Sequence, residues 1–263
     1  MAFGVYKTKL KDGSDSFRAS VTYRKKHISL GSFSNEEDAQ SAVKEAEKIY
    51  TDDSIDLLNF RSHIFHLSED KAVILLNYRD HGIYIGTPIY LRSGYFSYFL
   101  KGFGELKFDN DDLFYYSEHR ILIHDGHLYV NDYGMQYGIL ARYGIKNFAV
   151  AGKDYTFANG DNTDYRYSNI IVVNRYHGVT RVVRQGRIFY ETRIHINGEY
   201  LIGRFNEDSR AAVAYNKAAD LAIAAGINKN FIQNFVVEYT PREYASVYTE
   251  ITMPQKYLNY LSL

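Results

Sequence analysis

Residues 178–205, GVTRVVRQGRIFYETRIHINGEYLIGRF, decide how this chain folds. Tyr190, Thr192, Ile194 and Ile196 alternate with more polar neighbours, the period-two pattern of a half-buried strand. Asn197-Gly198 is a strong hairpin signal, because both residue types accept the left-handed backbone a tight turn requires. After Gly203-Arg204-Phe205 the period changes. Ala211, Ala214, Tyr215, Ala218 and Leu221 recur at spacings of three and four, and the pattern stops near Gly226. Three short strands and one helix follow from these twin periods.

The same plan begins at Gly4, in GVYKTKLKDGSDSFRASVTYRKKHISLGSF. Phe17, Ala19, Val21 and Tyr23 alternate with Arg18, Ser20, Thr22 and Arg24, with breaks near Gly13 and Lys25. Gly31-Ser32-Phe33 stands where Gly203-Arg204-Phe205 stands later. Asn35 and Asp38 read as a helix-starting cap. Ala39, Ala42, Val43, Ala46 and Ile49 then form the apolar stripe, with Glu36, Glu37, Glu45 and Glu47 towards solvent. Small alanines let such a helix lie close on a thin sheet.

These two copies resemble the Apetala-type domain of plant ethylene-response factors, a three-stranded sheet on one helix whose sheet lies in the DNA major groove. The resemblance covers 4–50 and 178–225, and the second copy matches more closely. Phe17 and Tyr190 stand where that family has a strand tryptophan, and its arginine pattern is thinned. The resemblance implies DNA contact by outward basic residues: Lys7, Lys9, Arg18, Arg24, Lys25 and Lys26 in the first copy, Arg181, Arg184, Arg187 and Arg193 in the second. An arginine can fork onto guanine edges, whereas lysine mostly neutralises phosphate.

Between the copies, AVILLNY, GIYIGTPIYL, YFSYFL and RILIHDGHLYV read as short strands, and QYGILARYG as a short helix. His63, His66, His119, His124 and His127 have the chemistry of metal ligands. No carboxylate-rich helix accompanies them, so surface histidines are the preferred reading and no metal or cofactor is expected. The segment 155–174, YTFANGDNTDYRYSNIIVVN, closes the middle with two polar clusters and an apolar run.

That segment resembles the H-N-H motif of phage homing-type endonucleases that also carry Apetala-type domains. Asn159-Gly160-Asp161, Asp164-Tyr165-Arg166 and Ser168-Asn169-Ile170 carry the match. Such an enzyme uses a histidine base beside a metal-holding acid. The frame places Thr156 at the acid and Phe157 at the base, and Tyr165 replaces an orienting asparagine. A phenyl ring neither takes a proton nor holds a metal, so the motif is read as degenerate and catalytic residues as none.

Composition bounds the rest. The chain has 263 residues, 31 Lys plus Arg against 31 Asp plus Glu, no cysteine and 26 tyrosines. Disulfides and thiolate metal sites are excluded, and a reducing cytosol is expected, that of a host cell if the protein is phage-encoded. The start reads as lacking a signal peptide, and no apolar run is long enough for a membrane helix. Net charge varies along the chain: +2 over 1–50, −5 over 51–174, +4 over 175–234 and −1 over 235–263.

The expected fold is α+β: two three-stranded-sheet-plus-helix modules around a degenerate H-N-H (ββα-like) core with extra short strands. The expected parts are 1–52, 53–174, 175–234 and a tail, 235–263, containing the strand-like FVVEY. The tail packs on the second copy or makes a self-association contact, which would give a homo-oligomer; the sequence leaves both open. Function is expected to be binding of double-stranded DNA by a nuclease relative that has lost cleavage. The alternative is an anti-defence inhibitor that binds a host defence protein, as a DNA mimic or groove blocker, given the acidic middle and the many tyrosines. An active H-N-H endonuclease is the third reading.

Overall fold

The structure of the protein, a computed structural model, describes residues 4–146 and 149–262. Its fold is α+β, with small sheets of two or three strands and six α-helices among the described residues. The chain divides into two compact units, Met1–Tyr137 with Asp161–Asn169, and Gly138–Gly160 with Ile170–Leu263.

In the first unit β1 (Val5–Lys9), β2 (Asp15–Tyr23) and β3 (Lys26–Phe33) form an antiparallel sheet in that order, backed by α1 (Glu36–Thr51). Val5, Ala19, Val21, Ile28 and Leu30 meet Ala39, Val43, Ala46 and Ile49 in one buried cluster. Asn35 caps the helix by accepting the Asp38 N–H at 2.8 Å. Glu45 departs from its expected solvent position. Its carboxylate accepts the backbone N–H groups of Phe65, His66 and Leu67, so it closes the connector that follows α1.

The run AVILLNY is helical, not a strand: it lies within α2 (Glu69–His81). Ala72 to Tyr78 are all buried, so no polar face marks the helical period, and a short apolar run cannot be told from a strand by periodicity. Its ends carry the missed signal. The Ser68 hydroxyl accepts the Lys71 N–H, and Gly82 ends the helix at φ +72°.

Beyond it, β4 (Ile89–Leu91), β5 (Tyr95–Leu100) and β6 (Gly104–Asp109) form a second sheet, followed by α3 (Leu113–Glu118). Of GIYIGTPIYL only the last three residues are in a strand. A third sheet comprises β7 (Ile121–His124), β8 (His127–Asp132) and β9 (Met135–Gly138). Within QYGILARYG a short 3₁₀ helix forms at Ile139–Tyr143, while the first three residues belong to β9.

In the second unit β10 (Tyr155–Phe157) and β11 (Ile170–Val172) pair antiparallel. The repeated plan follows as β12 (Val179–Arg184), β13 (Arg187–His195), β14 (Glu199–Phe205) and α4 (Asp208–Ala224). Ile194, Ile196 and Ile202 pack on Ala211, Ala214 and Ala218, and the Thr192 hydroxyl donates to the Ala211 carbonyl at 2.8 Å. Gly178 is required here. It has φ +70°, and a Cβ would overlap the Tyr215 ring and lie 2.6 Å from the Arg193 carbonyl oxygen.

FVVEY forms no strand. The residue before it, Asn234, is held by Asn216 on α4: Asn216 Oδ1 accepts the Asn234 N–H and its Nδ2 donates to the Asn234 carbonyl, both at 2.8 Å. The tail then forms α5 (Pro241–Glu250) and α6 (Gln255–Leu261). Phe231, Val236, Ile251, Met253 and Tyr257 join the core under the β12–β14 sheet, and the Tyr257 hydroxyl donates to the Ala218 carbonyl. Among the described residues no helix is long and apolar enough to cross a membrane.

Candidate nucleic-acid interface

Directly opposed residues of an antiparallel pair share one face of the sheet. In β12–β13 the opposed pairs Val179–Thr192 and Arg181–Tyr190 lie towards α4, while Thr180–Glu191, Val182–Phe189 and Arg184–Arg187 lie away from it. Glu191 also opposes Arg204 of β14, and Arg193 opposes Leu201. The outer face therefore gathers Arg184, Arg187, Arg193 and Arg204 around one carboxylate.

Glu191 is 7% exposed in its side chain. Arg204 Nε donates to its Oε1 at 2.8 Å, Arg184 Nη2 to the same oxygen at 3.3 Å, and Arg193 Nη2 to Oε2 at 3.2 Å. The bonds from Arg204, foremost, and Arg193 hold the Glu191 carboxyl below its ordinary range against the opposing effect of burial. The three arginines remain 43–59% exposed. One carboxylate thus fixes three guanidiniums while leaving the cluster two charges positive, and their free N–H groups face solvent in set positions.

Arg181 does not join this group. It sits on the helix-side face opposite Tyr190, and its backbone N–H donates to Asn174 Oδ1 at 2.6 Å. With Arg175, Tyr190 and Asp208 it lines a separate hollow. Arg204 belongs to the cluster, although the sequence shows it only as the middle of the Gly-Arg-Phe that closes the sheet. Glu191 carries no signal until the strand register places it opposite Arg204.

The basic residues of the first copy are dispersed. Lys7 and Lys9 both pair with Asp15, at 2.7 and 3.1 Å, and Lys7 lies opposite Phe17 on the helix-side face. Arg24 and Lys25 form the β2–β3 turn with φ +46° and +65°. Arg24 Nη1 donates to the Tyr78 carbonyl at 3.3 Å and its guanidinium covers the Tyr23 ring. Lys26 lies 4.8 Å from the centre of the Tyr84 ring. On the outer face, Arg18 is flanked by Tyr6 and Ser32.

The motif segment is parted between the two units. Thr156 and Phe157 lie in β10, opposite Ile171 and Ile170, and Phe157 packs edge-on against Tyr155. Asn159 and Gly160 form the turn after β10, where Gly160 has φ +77°. Where a ββα core has its helix, β11 leads through 173–178 into β12. In the first unit, Asp161 pairs with Lys107 at 2.8 Å and accepts the Thr163 N–H and hydroxyl. The Lys107 bond, then those of Thr163, hold the Asp161 carboxyl far below its ordinary range.

Asp164 is buried and takes a two-pronged bond from Arg166, 2.8 Å from Nε and 2.6 Å from Nη2. Asn169 Nδ2 donates to the carbonyls of Asp164 and Asp161, while Tyr165 stacks on Phe108. The backbone bonds Lys107 N–H to Thr163 and Tyr165 N–H to Lys107 seat the segment along β6. Asp161 and Tyr165, two of the residues that carry the motif resemblance, thus help to clasp 161–169 to β6.

The histidines do not converge. His66 faces Glu45 and Asp38, His119 faces Asp132, and His124 faces Asp125, each one 3.1–3.4 Å from a carboxylate oxygen. His63 Nδ1 lies 3.3 Å from Lys48 Nζ, and His127 opposes His124 across β7–β8. Among the described residues no group of three or more His, Asp or Glu side chains is placed to hold a metal ion. Compared with known proteins, the chain matches no protein-family model, no curated protein and no solved structure.

Proposed function

We propose that the protein binds double-stranded DNA through the outer face of β12–β14, and that it does not cut it. The observation that carries this reading is the Glu191-centred cluster of Arg184, Arg193 and Arg204, with Arg187 beside it. The compact unit holding that face has 14 Lys and Arg against 9 Asp and Glu, net +5, while the other has 17 against 22, net −5. Guanidiniums already ordered by a carboxylate lose less freedom on meeting phosphates or guanine edges. The absence of cleavage is supported by Phe157 at the base position and by the commitment of Asp161 and Asp164 to Lys107 and Arg166.

The test is a gel-shift titration of duplex DNA beside an Arg184/Arg187/Arg193→Ala variant, with plasmid incubated in Mg²⁺ or Mn²⁺. Binding that the variant loses, with plasmid left intact, supports the reading. Absence of binding at low salt, or cutting abolished by Asp161→Ala or Asp164→Ala, would overturn it.

A second reading, an inhibitor of a host defence protein, is favoured by the net −5 unit and its exposed Leu58, Phe65 and Phe114. A pull-down from host extract that recovers nothing above background would remove it.

A further inference from the structure

Arg184 and Arg187 are directly opposed across β12–β13, next to the tight turn at Gln185-Gly186. Like charges in opposed positions destabilise a sheet. Glu191 reaches Arg184, but Arg187 has no ion-pair partner among the described residues. The two line an open cup with Phe189, Arg204, Phe205 and Arg210. An anion seated there would relieve the repulsion between the opposed arginines.

Duplex DNA leaves part of this cup unused, because a paired base within a stack has both faces covered. We propose that the cup binds a nucleotide whose base is unpaired, its phosphate among Arg184, Arg187, Arg204 and Arg210 and its base against Phe189. Arginine forks suit phosphate oxygens, and an aromatic ring accepts any base by stacking. Asn206 and Glu207, also in the lining, offer hydrogen-bond partners for sugar hydroxyls or an exocyclic amine. The pocket goes beyond duplex recognition, since Phe189, Phe205 and Arg210 have no part in that reading.

The ligand is a free nucleotide or the overhanging end of a strand. Calorimetric titration of the full chain with adenosine monophosphate, adenosine and inorganic phosphate tests the first source. A duplex bearing a short 5′-phosphorylated overhang, set against the blunt duplex, tests the second. The monophosphate is expected to bind about tenfold or more tightly than phosphate alone, or the overhang that much more tightly than the blunt end. Either preference supports the cup and identifies the source.

Arg187→Ala with Arg210→Ala is expected to weaken that binding about tenfold or more. Phe189→Leu is expected to weaken the nucleotide or overhang while leaving phosphate unchanged. Thermal melts matching the parent protein show that the variants fold. No preference in either arm, or equal weakening of nucleotide and phosphate by Phe189→Leu, would overturn the proposal. Blunt-duplex binding reads the outer-face hypothesis separately, so failure of one is not failure of the other.

Discussion

The two sheet-plus-helix modules share their construction down to single bonds, yet their outer faces carry different chemistry. Gly4 accepts the Ser20 N–H at 2.8 Å, as Gly178 accepts the Arg193 N–H at 2.7 Å. The ladder shifts register at Ala19/Ser20 in one and at Thr192/Arg193 in the other. Through these landmarks Arg18, Ser20 and Ser32 of the first sheet correspond to Glu191, Arg193 and Arg204 of the second. The first module has a lone arginine among hydroxyls where the second has a carboxylate ringed by guanidiniums. Of its other basic residues, Lys7 and Lys9 are taken up by Asp15, Arg24 by a helix carbonyl and a tyrosine ring, and Lys26 by a second tyrosine ring. A shared backbone plan fixes where side chains stand, and what stands there decides whether charge is presented or consumed.

The largest effect should come from charge consumed in the interior. Asp164→Ala removes a buried carboxylate and both its bonds to Arg166, and is expected to cost about 3 kcal/mol in denaturant unfolding. A cost near zero would break the distinction between consumed and presented charge.

Glu191→Gln comes next, at about 1–2 kcal/mol, since the amide keeps the shape but loses the charge holding three arginines. The folded carboxyl is held below its ordinary value near 4.5. Its contribution is therefore complete above that pH and lost as pH falls through the folded value. The stability gap between parent and variant should hold from pH 7 down to about 5 and close on further acidification. A gap that widens in acid would contradict the assignment.

Smallest is Lys7→Ala, expected to change stability by less than about 1 kcal/mol, because its pairing with Asp15 is exposed and screened. Duplex affinity should change by less than about twofold, as the residue lies on the helix-side face.

Much of this architecture was legible because alternation and the three-four spacing of alanines are local signals. Phe17 to Tyr23, Ala39 to Ile49 and Ala211 to Leu221 fall where those periods put them. Signals that depend on the whole structure were not legible. The α2 helix lost its period because every side from Ala72 to Tyr78 is covered. FVVEY resembled a strand, yet it forms none, and the backbone of Asn234 just before it is held by the side chain of Asn216. The candidate interface was half legible: Arg184, Arg187 and Arg193 share a face, whereas Arg181 turns to the other side. The roles of Glu191 and Arg204 come from cross-strand register, which sequence spacing alone does not set.

The central claim is that the second outer face, and not the first, meets the phosphates. Duplex affinity measured from about 50 to about 200 mM salt tests it most directly, using the parent chain, Arg184/Arg193/Arg204→Ala and Arg18/Lys25/Lys26→Ala. The parent should weaken roughly a hundredfold across that range if about four phosphates are neutralised. The second-module variant should bind weakly with a shallow salt slope, and the first-module variant should follow the parent. Equal losses from both variants, or a parent slope near zero, would contradict the account.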